Sequence, residues 1–463
     1  MTTALFVLGR STFDMPHAEE RMAAALAVLD GLGVGTTGPR RILLDTAAVV
    51  EALDALDPTA VTRVLIVQAT FCDAAAVCAI AERLTAPITL WALPEPRTGG
   101  RLRLNAFCGL NLAAHALGLR GRSVGSLLAD PDAPEVPSAL AEALAAPMPE
   151  IPEPRPASDG GEAAAEAGLA AITGARIGRI GTRPDGFDTC EHDDARLQAL
   201  CGAAVEPLDL PMLFDTAEQV AATAVTALRA DLETRVAGLA ALEQTALEKS
   251  LRLRMALDAI KAGGGYDAFA IRCWPEMFTE YGGAVCAPVG LLGEARTPCA
   301  CEADIYGALT CLMLQAVADA PVFLADLVDM DAGSDTGIVW HCGQAPLGMA
   351  DPATPPQATI HSNRRLPLLH EFALKPGRVT LARISQARGR PQMVLARGEA
   401  LRAPPAFSGT SGTIRFDRPV GEVAARLIAA GTEHHLALAH GEHGAAVETV
   451  AARLGLPLLN LTA

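Results

Sequence analysis

Along the first third of the chain, unbroken apolar runs alternate with Ala-rich stretches whose polar residues recur at helical spacing. "ALFVLG" precedes an amphipathic stretch from Ala18 to Leu32, "RVLIVQA" precedes "AAAVCAIAERL", and "ITLWAL" follows. Short continuous apolar runs suit strands covered on both faces. Their alternation with helical stretches predicts a parallel sheet under helices. The pattern stops after Ala146, where "PMPEIPEPRPASDGGEAA" crowds Pro, Gly and charge without periodicity, as in a linker or crossover. A second α/β unit opens at "ARIGRIGTRPDGF", continues through a helical stretch from about Thr216 to Lys261, and reaches another buried strand in "DAFAIRCWPEM". From about Gly337 the runs shorten: "ATIHSN", "GRVTLARISQ", "RPQMVLARGEAL" and "GTIRFD" are separated by Pro and Gly. This texture predicts an antiparallel sheet or small barrel. "HHLALAHGEHGAAVETVAARLGLPLLNL" then reads as strand, helix, strand. The expected units are 1–150, a crossover at 151–168, 169–336 and 337–463.

Composition narrows the function classes. A chain of 463 residues that is 50% hydrophobic can build more than one core. A formal net charge of -16 disfavours nucleic acid and anionic membranes as partners. "MTTALFVLGRSTFD" has neither the basic n-region nor the long apolar run of a signal peptide, and no uncharged apolar run is long enough for a bilayer. The 11 cysteines are scattered and mostly lie inside apolar runs, the usage of a reducing compartment, so a cytoplasmic location is expected. "CAC" at Cys299 and Cys301 lacks a second pair at zinc-site spacing. "GLGVGTTG" follows a helix and not a strand, which argues against a dinucleotide site.

Against this background four segments set an unusual polar group beside apolar sequence: Glu302 in "CEAD", Asp326 closing "PVFLAD", His341 in "VWHCG", and His434 with His435 in "EHHLAL". Two carboxylates with one or two imidazoles suit a divalent ion: Mn²⁺ first, with Mg²⁺, Co²⁺ or Zn²⁺ as alternatives. Each residue also has a plainer reading. Glu302 and Asp304 suit a helix start, where the first turn's amides favour a carboxylate. Asp326 suits a turn, with Asp329, Asp331 and Asp335 following as loop acids, and His341 suits a satisfied core histidine.

Read together, "CWPEMFTEYGGAVCAPVGLL", "CEADIYGALTCLML", "PVFLADLVDMD", "WHCG" and "EHHLALAHGEH", in this order, resemble the L-fucose isomerase/L-arabinose isomerase family, in its fucose-isomerase-like branch. "LWALPEPRTGGRLRLNAFCGLN" and "RIGRIGTRPDGFDTCEHD" extend the resemblance toward the N-terminus. It implies two Rossmann-like α/β domains followed by a C-terminal antiparallel β-barrel domain. It also implies a metal-dependent aldose–ketose isomerase working by enediol proton transfer, as a homo-oligomer, often a trimer or hexamer. Glu302 and Asp326 would be the metal carboxylates and the proton-transfer groups, His435 a third ligand, and His341 a fourth by analogy with arabinose isomerases. Asp304 would support the site from behind or start the helix.

Glu276, Trp274, Arg183 and His434 are the candidates for contact with a small-molecule sugar, Arg183 through an anionic substituent. Trp274 and Trp340 would wall the pocket. Cys190 and Cys342 read as packing residues, since no Cys–His spacing suggests a nucleophile. A metal-dependent sugar hydrolase or lyase using the same residues, or a non-catalytic sugar-binding protein of the same fold, are the competing readings.

Overall fold

The computed structural model describes residues 2–463. Its first unit is the expected parallel sheet. The strands run in the order Thr36–Thr37, Thr2–Leu8, Val61–Gln68, Ile88–Ala92 and Val124–Leu128, with Ile42–Leu43 also paired to Thr2–Leu8. All these ladders are parallel, with Phe6 opposite Ile66 and Ile66 opposite Leu90. The central strands are buried along most of their length, in the runs Ala4–Leu8, Val64–Gln68 and Ile88–Ala92, because helices lie against the sheet and leave no solvated face to alternate with. Asp14, Asp45 and Asp73 start helices by accepting amide hydrogens of His17, Ala48 and Ala75.

Within the stretch expected as a crossover, the chain is anchored at Arg155 and enters a helix at Ala163. Arg155 exchanges backbone hydrogen bonds with Leu458 near the C-terminus, and its guanidinium is 2.6 Å from Glu448. Helix Ala163–Ile172 then packs on helix Ile305–Ala318. The second parallel sheet runs Cys299–Ala300, Ala268–Ile271, Arg176–Ile180, Ala204–Leu208. The expected continuous helical stretch from Thr216 to Lys261 is instead three helices, Leu210–Glu218, Ala222–Glu233 and Gln244–Gly264. Gly238, at φ 87°, breaks the chain between the last two, and Glu243 recaps it by accepting from Thr245 and Ala246.

The remainder is one large mixed sheet of nine strands. Strand Phe323–Asp331 belongs to it, paired antiparallel with Thr336–His341 on one side and His435–His440 on the other. This differs from the expected boundary near residue 336. "PVFLAD" does not end at Asp326 but continues to Asp331, and it joins the C-terminal sheet and not the second parallel one. Asp329, expected in a loop, is a buried strand residue bonded to Arg97 of the first unit at 2.6 Å.

The first unit and the large sheet share one hydrophobic core. Helix Ala106–Leu119 meets the C-terminal unit through Asn111, which donates to Thr432 O at 2.7 Å, and through the His115 ring at Gly431 O. That junction fixes Gly431 and Thr432, just ahead of the His434–His435 pair, against the first unit.

Candidate active site

The turn carrying Glu302 lies between strand Cys299–Ala300 and helix Ile305–Ala318. That helix is buried on every side, which explains its apolar sequence. Glu302 (φ 59°) and Ala303 (φ 54°) both occupy the left-handed region. For residues with a Cβ this costs about 1–2 kcal/mol each, and it swings the Glu302 side chain away from the helix start. Asp304 takes the capping role instead, accepting from Gly307 N at 2.9 Å.

Asp304 has a second task. Its carboxylate receives the Arg383 guanidinium at 2.5 and 2.9 Å and His435 Nδ1 at 2.9 Å, and all three side chains are buried. Burial alone would raise the Asp304 pKa. Arg383 and His435 outweigh it and hold the carboxyl well below the carboxylate range. An ionised Asp304 accepts only, so His435 carries its proton on Nδ1 and turns the lone pair of Nε2 outward.

That Nε2 stands 3.4 Å from Asp326 Oδ1 and 3.8 Å from Glu302 Oε2. Asp326 arrives there because it sits directly opposite His435 across the ladder. His341 follows Trp340, the partner of Asp326 on the other side. His341 Nε2, Asp326 Oδ1 and His435 Nε2 are all buried without a hydrogen-bond partner among the described residues. Ligand atoms of Asp326, His341 and His435 lie within 4.8 Å of one another, and those of Glu302 and His435 do so in an adjoining group. Buried polar atoms left unpaired are costly. The two groups share His435, and together their two carboxylates and two imidazoles form a donor set whose chemistry fits a divalent cation.

His434 faces the same point differently. Its Nε2 is 3.0 Å from Glu302 Oε2. Burial alone would raise the Glu302 pKa, but the His434 hydrogen bond and the neighbouring imidazoles hold the carboxyl below its ordinary value. Burial alone would likewise lower His434, and the bond to Glu302 with the nearby acids holds it above. His434 is therefore a donor to Glu302.

A cavity opens from this cluster. Trp274 and Trp340 line it, with Phe13, Phe71 and Phe187 as further aromatic wall and Arg10, Asn105, His361 and Arg364 as polar groups. Every unit contributes to it. Cys108 lines it and Cys190 lies behind Glu302, its Sγ 4.0 Å from Oε2; burial holds both thiols well above their ordinary pKa. Such protonated thiols are poor nucleophiles.

Two expected contact residues do not reach the cavity. Glu276 turns the other way, bonded to Arg272 Nε at 2.7 Å, and borders a separate shallow groove with Thr182 and Asp209. Arg183 lies at the surface, 3.9 Å from Asp188 and 3.8 Å from Glu191. In both cases a nearby opposite charge captures the side chain. Sequence reasoning also passed over Arg383, Arg10 and Arg364. Arg383 left a signal, a charge inside the apolar run "VTLARIS"; Arg364 in "HSNRR" left none.

The two α/β units and the large mixed sheet, with acids and imidazoles gathered at their junction, describe a sugar-isomerase architecture. Comparison with known proteins agrees. Residues 4–143 match the fucose/sulfoquinovose isomerase N-terminal domain, and residues 339–462 match the L-fucose isomerase C-terminal domain. The chain is 30% identical over 395 residues to a sulfoquinovose isomerase of Alkalicoccus urumqiensis, covering 85% of each. It is 28% identical over 444 residues to the sulfoquinovose isomerase of Priestia aryabhattai, covering 95% of each. It is also 28% identical over 445 residues to that of a Clostridium species, covering 95% of this chain and 94% of the relative. The chain belongs to the fucose/sulfoquinovose isomerase family, and so to the intramolecular oxidoreductases that interconvert aldoses and ketoses.

Proposed function

We propose that this enzyme isomerises a terminally sulfonated aldose to its ketose through an enediol, with a divalent cation, Mn²⁺ by preference, at the Glu302, Asp326, His341 and His435 cluster. The observation that carries the reading is the convergence of His435 Nε2 on Asp326 Oδ1 and Glu302 Oε2 at 3.4 and 3.8 Å. The names of the relatives supply the sulfonated substrate.

The C2–H of an open-chain aldose is too weakly acidic to be removed unaided. When bound, the cation supplies Lewis-acid stabilisation of negative charge at O1 and O2. Glu302 and Asp326 flank that position, so one takes the C2 proton and one returns a proton to C1, while the hydroxyl proton of O2 passes to O1. His434 donates to Glu302 and sets the direction of its free oxygen. Trp274, Phe187 and Phe71 exclude water from the carbon chain and leave its hydroxyls to Asn105 and His361.

The same reading extends to architecture and setting. Strand Thr410–Phe416 pairs with Thr336–His341 on one side and Gln392–Leu401 on the other, which supports the large sheet as the barrel of the family. All the cysteines are free thiols, which supports a cytoplasmic setting. No helix among the described residues is long and apolar enough to cross a membrane. The family resemblance supports a trimer or hexamer, checked by light scattering.

The test is proton NMR in D₂O with Mn²⁺-loaded enzyme and a panel of aldoses. Signals of the C2 proton of a sulfonated aldose should fade as ketose appears. Glu302→Gln and Asp326→Asn should each abolish this while leaving the fold intact. Turnover retained in both variants would sink the assignment.

A further inference from the structure

The reacting cluster occupies one end of the cavity. The aromatic wall leads from it in steps: the His434 ring is 6.1 Å from Phe187, and Phe187 is 5.6 Å from Trp274. Beyond Trp274 stand two guanidinium groups. Arg10 lies 5.6 Å and Arg364 5.2 Å from the Trp274 ring centre. Their situations differ. Arg10 is paired with Asp73. Arg364, half-buried, has no carboxylate partner among the described residues; the ionisable groups that act on it are the Cys273 thiol and the like charge of Arg10.

An unpaired guanidinium that feels a second one in the same partly desolvated wall is unfavourable. It is all the more unusual in a chain of net charge -16, which has many acids available. Burial first, and then the charge of Arg10, pushes the Arg364 pKa below its usual range. An anion between the two would reverse both effects.

The side chain is also held ready. Arg364 lies against both Trp274 and Phe278, the latter at 5.8 Å, so the planar fork is fixed before any ligand arrives. Its backbone is fastened as well. The amides of Asn363 and Arg364 both donate to His361 Nδ1 at 3.3 Å. Burial, reinforced by the Arg364 charge, keeps the His361 pKa down at about 3, so the ring is neutral and Nδ1 remains an acceptor. The Arg365 amide closes the turn on His361 O at 2.7 Å.

We propose that Arg364, with Arg10 beside it on the Trp274 wall, binds the anionic group at the end of the sugar chain remote from the reacting carbons. The subsite deepens the isomerase reading and rests on it for the orientation of the sugar. A tetrahedral oxyanion is the ligand class, because three terminal oxygens can meet both guanidinium forks. Sulfonate and phosphate monoester share that chemistry, and sulfonate is favoured here.

The experiment uses alditols, which bind but have no carbonyl to isomerise. Titration calorimetry on the Mn²⁺-loaded enzyme compares the alditol of a terminally sulfonated hexose with its neutral and phosphorylated counterparts. Wild type should bind the sulfonated alditol about 10- to 100-fold tighter than the neutral one. Arg364→Gln should erase that preference, read as the ratio of charged to neutral alditol affinity within the variant, and Arg364→Lys should restore part of it. Should Arg364→Gln fail to fold, a preference in Arg364→Lys equal to wild type overturns the subsite, and a reduced one supports it.

Equal binding of charged and neutral alditols by wild type, or a preference that survives Arg364→Gln, overturns the proposal. Tighter binding of the phosphorylated alditol keeps the subsite and changes its ligand to phosphate. A sulfonate preference that depends on Arg364, in an enzyme that isomerises no sulfonated aldose, keeps the subsite and removes the sulfonated aldose as the substrate isomerised.

Discussion

Asp304 accepts the Nδ1 hydrogen of His435 at 2.9 Å, a bond between the start of a buried helix and the start of a strand far along the chain. The same carboxylate caps the helix and neutralises Arg383. Removing it should therefore separate two effects. Asp304→Ala leaves the fully buried Arg383 without its partner and should cost about 3–5 kcal/mol of stability. Asp304→Asn keeps the cap and a neutral acceptor for Arg383, so it should cost less stability than Asp304→Ala, but it frees His435 to take the other tautomer and should weaken Mn²⁺ binding about 10- to 100-fold. Chemical denaturation and metal titration of both variants check this. An Asn variant with wild-type metal affinity would remove Asp304 from the site.

Metal removal is the complementary test. The buried, unpartnered atoms of Asp326, His341 and His435 are a cost in the apo protein that a cation offsets. At a free cation concentration about 100 times the dissociation constant, binding adds about 2.7 kcal/mol to folding stability. Chelation should thus lower the melting temperature by a few degrees, and Mn²⁺ should restore it. The variant His341→Ala should show a smaller restoration than wild type if His341 belongs to the donor set.

The separate pieces of this cluster were legible in the sequence to different degrees. Glu302 and the His434–His435 pair stand out as polar groups against apolar runs, and the parallel sheet of the first unit follows from its unbroken apolar strands. The position of Asp326 was harder. "PVFLAD" reads as a strand, but its place in the C-terminal sheet depends on pairing with His435, whose sequence lies beyond every local pattern. The left-handed turn at Glu302 and Ala303 leaves no mark either, since neither residue type favours it. Glu276 and Arg183 looked suited to a substrate because strand ends carry function. Their local partners, Arg272 in one case and Asp188 with Glu191 in the other, decide where they point.

The bond between Arg97 and Asp329 gives a pH-dependent prediction. Burial raises the Asp329 pKa, and Arg97 only partly counters it, so the carboxyl stays above its ordinary value. A folded-state pKa above the unfolded one means that this group favours the fold most below the unfolded value. The contribution is lost as pH rises through the folded pKa. Arg97→Ala removes the compensation and should push that pKa higher still. The variant should be destabilised by about 3 kcal/mol at neutral pH, with a deficit that shrinks toward acid as Asp329 takes up its proton. Urea unfolding of both proteins at neutral and mildly acidic pH measures the difference. A deficit that grows toward acid would contradict the assignment.

Gly343 ends the "WHCG" segment at φ 81°, with its amide on His341 O at 2.6 Å. A Cβ there would stand 2.7 Å from His370 N and 2.8 Å from His370 O, backbone atoms that cannot step aside. Gly343→Ala should lose at least ~1–2 kcal/mol from the left-handed backbone alone. Because the displaced segment carries His341, Mn²⁺ affinity should fall with it. Gly421→Ala is the control: it lies in helix Val420–Ala430 with nothing within 4 Å of the added atom. There alanine should stabilise by up to about 1 kcal/mol and leave metal binding unchanged. Loss of stability in Gly343→Ala without loss of metal affinity would mean that His341 is held by its strand and not by this turn.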